Sequence, residues 1–248
     1  MNTSQNSQQR RIIVLDTETT GMNREGGPHY QGHRIIEIGA VEIINRKLTG
    51  RHFHVYLKPD REIQPDAIDV HGITDQFLLD KPEYKQVHQE FIEFIDGAEL
   101  VAHNAPFDVG FMDQEFALLD SSIGNTEQYC KVTDTLAMAK RMPNMPARKN
   151  LDALAKHYTI DTSARVLHGA LLDAEILADV YLAMTGGQTA LQFNAGQSSD
   201  SDGGAENIKR LATERKSLKV LHATADEIEA HNSRLDIVEK AGSCLWRQ

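Results

Sequence analysis

Five side chains in three short, well-separated segments have the types and spacing for one shared piece of chemistry. Asp16 and Glu18 flank Thr17, Asp108 closes the run Asn104-Ala105-Pro106-Phe107-Asp108, and His168 begins the run His168-Gly169-Ala170-Leu171-Leu172-Asp173. Four carboxylates and an imidazole suffice to hold two divalent cations about 4 Å apart and to activate one water. All-carboxylate donors suit hard ions, so the expected pair is Mg2+ or Mn2+. Asp16 is expected to bridge both ions, with Glu18, Asp108 and Asp173 completing their shells. A histidine changes charge near neutral pH, which makes His168 the expected general base, a role typically worth roughly 10²–10⁴ in rate. Such a site can cut a phosphodiester bond.

Each motif alone also has a plain structural explanation. Asp16 and Glu18 sit where a strand is expected to end, and carboxylates are common at strand ends. Asp108 falls in the first turn of a helix, where the helix dipole favours a negative charge. Phe107, apolar at a helix start beside a polar site, is suited to stack on a base. His168 and Asp173 are five positions apart, about 140° on a continuous helix, and would not converge there. They converge if His168 lies on the loop before the helix and Asp173 on its second turn, with Gly169 supplying the bend. Eight of the other histidines need only surface or packing roles; His71 and His103, beside motif-like segments, stay open.

These side chains need elements to position them. Arg11 to Leu15 is a short apolar, β-branched run that reads as a buried central strand. Ile35 to Ile44, a turn at Asn45-Arg46-Lys47 and His52 to Lys58 complete a three-stranded antiparallel meander. The connection 21–32 holds four glycines and a proline and reads as a loop. Strands and helices then alternate. Tyr84 to Ile95 has helical spacing, Glu99 to Ala102 is a strand, and Pro106 opens a helix with an apolar stripe at Val109, Met112, Phe116 and Leu119. Tyr129 to Val132 is a further strand. Helices follow from about Asp134, from Asn150 as N-cap, and from Gly169 to Met184. That order implies an α/β fold, a five-stranded mixed sheet flanked by helices.

The chain has 248 residues, 40% of them hydrophobic, which is enough for one sizeable core plus an appendage. Its formal charge is −10, and residues 1–187 carry 18 Lys and Arg against 27 Asp and Glu. An acidic domain makes a poor nonspecific duplex binder, since that grip comes from basic surfaces. Metal ions would have to supply local positive charge, and another contact would have to hold the protein at its work. Cys130 and Cys244 lack metal-type spacing, and two free thiols fit a cytoplasmic protein. The polar start has no apolar segment of signal-peptide type, and no stretch is long enough to span a membrane.

Four segments are expected: a disordered leader at 1–9, a catalytic domain at 10–187, a linker region at 188–206 and a tail at 207–248. The linker is low in complexity, from Gly196 to Gly204. The tail carries helical patterning over 207–220 and again from about Thr224 to Lys240, then ends in Ser243-Cys244-Leu245-Trp246. About 40 residues bury little core alone. With the chain's single Trp at its end, the tail reads as a segment that docks on a partner.

The three motifs resemble the DEDD exonucleases, in the subclass whose third motif carries a histidine; a tyrosine subclass would place Tyr where Gly169 stands. The resemblance covers about residues 10–185 and implies a ribonuclease-H-like sheet and 3′→5′ removal of single nucleotides. Leu15 to Met22, Ile35 to Ala40, Val70-His71-Gly72-Ile73 and the Gly242-to-Trp246 ending further resemble the epsilon-type proofreading subunits of bacterial DNA polymerase III. This implies a frayed or single-stranded DNA 3′ end as substrate, with Val70, His71 and Phe107 near its terminal nucleotide. It also implies the polymerase's catalytic alpha subunit as the tail's partner, and it raises a small theta-like accessory subunit. Gln188 to Phe193 is similar to the short segments by which replication proteins bind the sliding clamp. There Leu191 and Phe193 would be apolar anchors and Gln188 would fix the register. Competing readings are an RNA-processing exonuclease of the same fold, an adaptor with a decayed site, and an aspartyl-phosphate phosphatase built on Asp16.

Overall fold

A computed structural model describes residues 10–163, 165, 167–186, 222–242 and 244–247. The expected leader, the clamp-like segment with Gln188, Leu191 and Phe193, the linker and the helical patterning over 207–220 lie outside the described residues. The chain divides into two units, Met1–Ala190 and Leu191–Gln248.

In the first unit, β1 (Arg11–Thr19), β2 (Ile35–Ile44) and β3 (Lys47–Tyr56) form the antiparallel meander. Asn45 and Arg46 both have positive φ, 52° and 62°. A two-residue turn of that kind matches the twist of its flanking strands. Lys47 therefore belongs to β3, which starts five residues earlier than the expected His52. The strands β4 (Glu99–Ala102) and β5 (Lys131–Asp134) add in parallel to give the order β3-β2-β1-β4-β5. The fifth strand runs two residues later than expected, over the segment that pairs with β4.

Alternation along β1 divides the core between the two faces of the sheet. Ile13 and Leu15 pack against α3 (Tyr84–Ile95) and α4 (Pro106–Leu119), with Phe91, Phe111 and Phe116 at the centre. Ile12 and Val14 pack on the other side against α5 (Thr135–Arg141), α6 (Leu151–His157) and α7 (Ala170–Thr185). Asp134 and Asn150 cap α5 and α6 by accepting from Leu136 N and Ala153 N. Two short helices were not anticipated: α1 (Pro65–His71) and α2 (Asp75–Leu78), which cover a small cluster of Ile36, Ile63, Ile73 and Leu78.

Two contacts fix the helices to the sheet. Fully buried Glu115 of α4 accepts a forked pair from Arg34, Nε at 2.8 Å and Nη2 at 2.7 Å, and a third bond from Ile35 N at 3.1 Å. On the opposite face α7 crosses β2 at Gly39, the residue paired with Asp16. A Cβ at Gly39 would lie 2.1 Å from Leu171 N and 2.4 Å from Ala170 O, so only glycine lets the start of α7 come this close.

In the second unit, α8 (Ala225–Ala241) begins with a capping box: Glu227 accepts from Thr224 N at 2.8 Å and Thr224 accepts from Glu227 N at 3.3 Å. Ile228, Leu235 and Val238 recur along one side of it, and Ile228 and Val238 are exposed. Arg247 pairs with Asp236 and Glu239 at 2.7 and 2.6 Å, bringing the final turn, Leu245–Arg247, back along the helix. Trp246 stays 83% exposed.

Gly39→Ala is expected to destabilise the first unit by about 1–3 kcal/mol, the usual cost of overpacking. Denaturant titration reads this directly, and an unchanged midpoint would mean that α7 has room to shift.

Candidate metal and catalytic site

The first strand carries more of the site than its expected boundary allowed. It does not end at Leu15 but runs through Thr19, so Asp16, Thr17 and Glu18 are strand residues paired with β2. Its pairing with β4 stops at Val14, which leaves that side of the strand open beyond it among the described residues. Openings of this kind are where sheet folds place ligands. Asp16 and Glu18 share one face. Thr17 points the other way and donates from Oγ1 to Asp108 Oδ1 at 2.7 Å, anchoring the fourth carboxylate at the start of α4.

The third motif also differs in detail. His168 lies on the loop before α7, as its angular separation from Asp173 requires. Asp173 sits in the first turn, not the second, and its N–H bonds the Gly169 carbonyl at 2.9 Å. Gly169 has φ −156°, extended backbone open to any residue, so the bend does not depend on glycine. The loop is moored elsewhere: His168 N donates to Val70 O at 3.3 Å.

Glu18, His168 and Asp173 each offer a ligand atom within 4.8 Å of the others. Asp173 and Asp108 are buried, while the His168 side chain is 46% exposed, open to a proton exchanged with solvent. Asp16 lies on the same face of β1 but, like Asp108, is not one of the three residues whose ligand atoms converge; burial and then the charges of Asp108, Glu18 and Asp173 bear on its carboxyl. Burial and these neighbours hold Asp16 well above the usual carboxylate range. Glu18 is pushed up to about 8, by burial first and then by the charges of Glu37, Asp173 and Asp108. Burial also raises Asp108, against the bond from Thr17. Carboxylates this crowded favour cations, and the donor set fits hard divalent ions.

Val70, His71 and Phe107 line one cleft together with Glu18. Phe107 stacks on His29, ring centroids 4.9 Å apart, and His29 Nε2 lies 3.0 Å from the Phe107 carbonyl. His71 is buried; its Nδ1 accepts from Ile73 N at 3.0 Å, and its Nε2 has no hydrogen-bond partner among the described residues. His103 is instead tied to Thr135 Oγ1 at 2.9 Å.

Three contributors escaped the motif reading. Thr17 holds Asp108. Glu37 pairs in register with Glu18 and accepts from His54 Nε2 at 2.8 Å. Arg165 donates from Nε and Nη2 to the two oxygens of Asp173, at 2.5 and 2.6 Å, and from Nη2 to His168 Nδ1 at 2.8 Å. Only the site's excess negative charge hinted at such a cation.

Acids with raised pKa values bind protons more tightly when folded, so stability falls as pH climbs between the unfolded and folded values. For Glu18 that window runs from about 4.5 to about 8. Melting temperatures in chelator should therefore decline across this window, with Mn2+ reversing the decline and Glu18→Gln reducing it. A flat profile in chelator would contradict the burial of these acids.

The comparisons with known proteins agree with this fold. The family model described as Exonuclease matches residues 13–181. The chain is 59% identical over 239 residues to DNA polymerase III subunit epsilon of Escherichia coli, covering 96% of this chain and 97% of that one. The Haemophilus influenzae subunit of the same name is 56% identical over 246 residues, covering 95% and 94%. Among solved structures, exonuclease X in complex with 5′ overhanging duplex DNA is 27% identical with a TM-score of 0.53, covering 71% of this chain and 91% of that one. Apo exonuclease I shares the fold at 20% identity and a TM-score of 0.60, covering 73% and 43%. Identity of this order along nearly the whole length, on the sheet that carries the exonuclease motifs, makes this chain a member of the epsilon family of DNA polymerase III subunits, proofreading 3′→5′ exonucleases.

Proposed function

We propose that Asp16, Glu18, Asp108 and Asp173 hold two divalent cations, Mg2+ or Mn2+, and that His168 is the general base for hydrolysis at a DNA 3′ end. The observation that carries this reading is the meeting of Glu18, His168 and Asp173 ligand atoms within 4.8 Å. Such ions would supply positive charge to offset what develops on the phosphate oxygens during cleavage. Asp16, on the same strand face as Glu18, would hold the ions together with it. Thr17 keeps Asp108 aimed at the same place. His168, half exposed on its loop, takes the proton from the attacking water and passes it to solvent.

The terminal nucleotide sits in the cleft of Val70, His71 and Phe107. Phe107 offers a ring to the base or sugar, and the unpartnered His71 Nε2 offers a polar contact. Digestion of a 3′-labelled primer with and without Mg2+ tests this reading. Asp16→Ala should abolish nucleotide release with the fold intact, and His168→Ala should lower it roughly 10²–10⁴-fold. Release by Asp16→Ala at the wild-type rate would remove the mechanism.

The second unit fits a docking role in a cytoplasmic replication complex. A helix with exposed Ile228 and Val238, followed by an exposed Trp246, presents apolar surface suited to a partner, here the polymerase alpha subunit. The clamp-like Gln188, Leu191 and Phe193 would add a weak second contact, and tethering makes weak contacts cumulative. A theta-like subunit would bind the nuclease unit. Deleting 207–248 should spare nuclease activity on free primers while ending co-purification with the polymerase subunit. Retained co-purification would reassign the tail.

A further inference from the structure

Arg165 is the one basic side chain, apart from His168, that makes an ion pair with the site carboxylates among the described residues. Its side chain is only 8% exposed. The guanidinium lies flat against Asp173 in a forked pair, at 2.5 and 2.6 Å, and donates to His168 Nδ1 at 2.8 Å. It thus engages two of the three residues whose ligand atoms converge. The remaining nitrogen, Nη1, is bonded to Asp152 of α6, an exposed carboxylate outside the cluster.

We propose that Arg165 competes with divalent cations for Asp173 and so gates metal loading. The inference rests on the assignment of Glu18 and Asp173 as metal ligands. The fork of Arg165 satisfies Asp173 and occupies a lone pair of His168, so one of the ligands and the base are capped by one group. A divalent ion brings twice the charge to the same oxygens and competes for them. Asp152 gives the displaced guanidinium a place to stay, held by Nη1 while Nε and Nη2 let go. Arginine suits this task because its rigid fork matches a carboxylate and its charge is permanent.

The two partners of Arg165 predict opposite effects. Arg165→Met removes the competitor, so the full chain should bind Mn2+ about tenfold more tightly, measured by the electron paramagnetic resonance signal of free Mn2+ in titration. Asp152→Asn removes the outer hold and leaves the fork to Asp173 alone, so Mn2+ should bind about threefold more weakly. Asp152 lies outside the catalytic set and is exposed, so this arm stands even if Arg165→Met does not fold. Unchanged or weaker binding by folded Arg165→Met, or tighter binding by Asp152→Asn, overturns the gate. Asp173→Asn separates the two levels. If wild type and Asp173→Asn bind Mn2+ alike, the metal-site assignment fails and the gate with it. If Asp173→Asn loses binding while Arg165→Met gains none, the gate alone fails.

Discussion

Mutual repulsion among buried carboxylates is the constraint around which this fold is arranged. Acids from β1, α4 and α7 meet in one opening, and for Asp16 and Glu18 burial makes the charge expensive and proximity makes it worse. Nothing in the hydrophobic core rewards that arrangement. It persists because the scaffold over-determines each position: sheet pairing fixes Asp16 and Glu18, Thr17 fixes Asp108, and the first turn of α7 fixes Asp173.

The scaffold brings groups from both faces of one sheet to a single point. The pairing of β1 with β4 ends at Val14, and the strand continues alone on that side. Above this fork α4 enters from one face and α7 from the other. Arg34 and Glu115 lock the first approach with a buried, doubly bonded ion pair. Close crossing at Gly39 locks the second. The three-residue stretch Asp16-Thr17-Glu18 serves both, two side chains toward one face and one toward the other.

Much of this was legible in the sequence because it depends on local periodicity. Strand alternation alone puts Asp16 and Glu18 together, and helix geometry alone forces His168 off the helix that carries Asp173. The caps at Asp134 and Asn150 announced their helices. The short helices α1 and α2 gave too few turns for a periodic signal, although they carry Val70 and His71 to the cleft or support them. Glycine at 169 suggested a bend that the backbone makes in an ordinary extended conformation. Arg165, Glu37 and the role of Thr17 were hidden for a different reason. Each acts through a contact across long chain separation or through electrostatic balance, and neither leaves a pattern in neighbouring residues.

The crossing at Gly39 extends the functional footprint beyond groups that react. The position offers hydrogen where any other amino acid offers carbon, and it lies beside the residue central to the charge cluster. Selection on replication fidelity would act on it as severely as on an acid, because displacing Ala170 and Leu171 carries Asp173 and its neighbouring loop away together. A survey of mutator alleles in this chain would thus return a residue with no side chain among the acids and the histidine. The shared cause of loss would be position in space rather than reactivity.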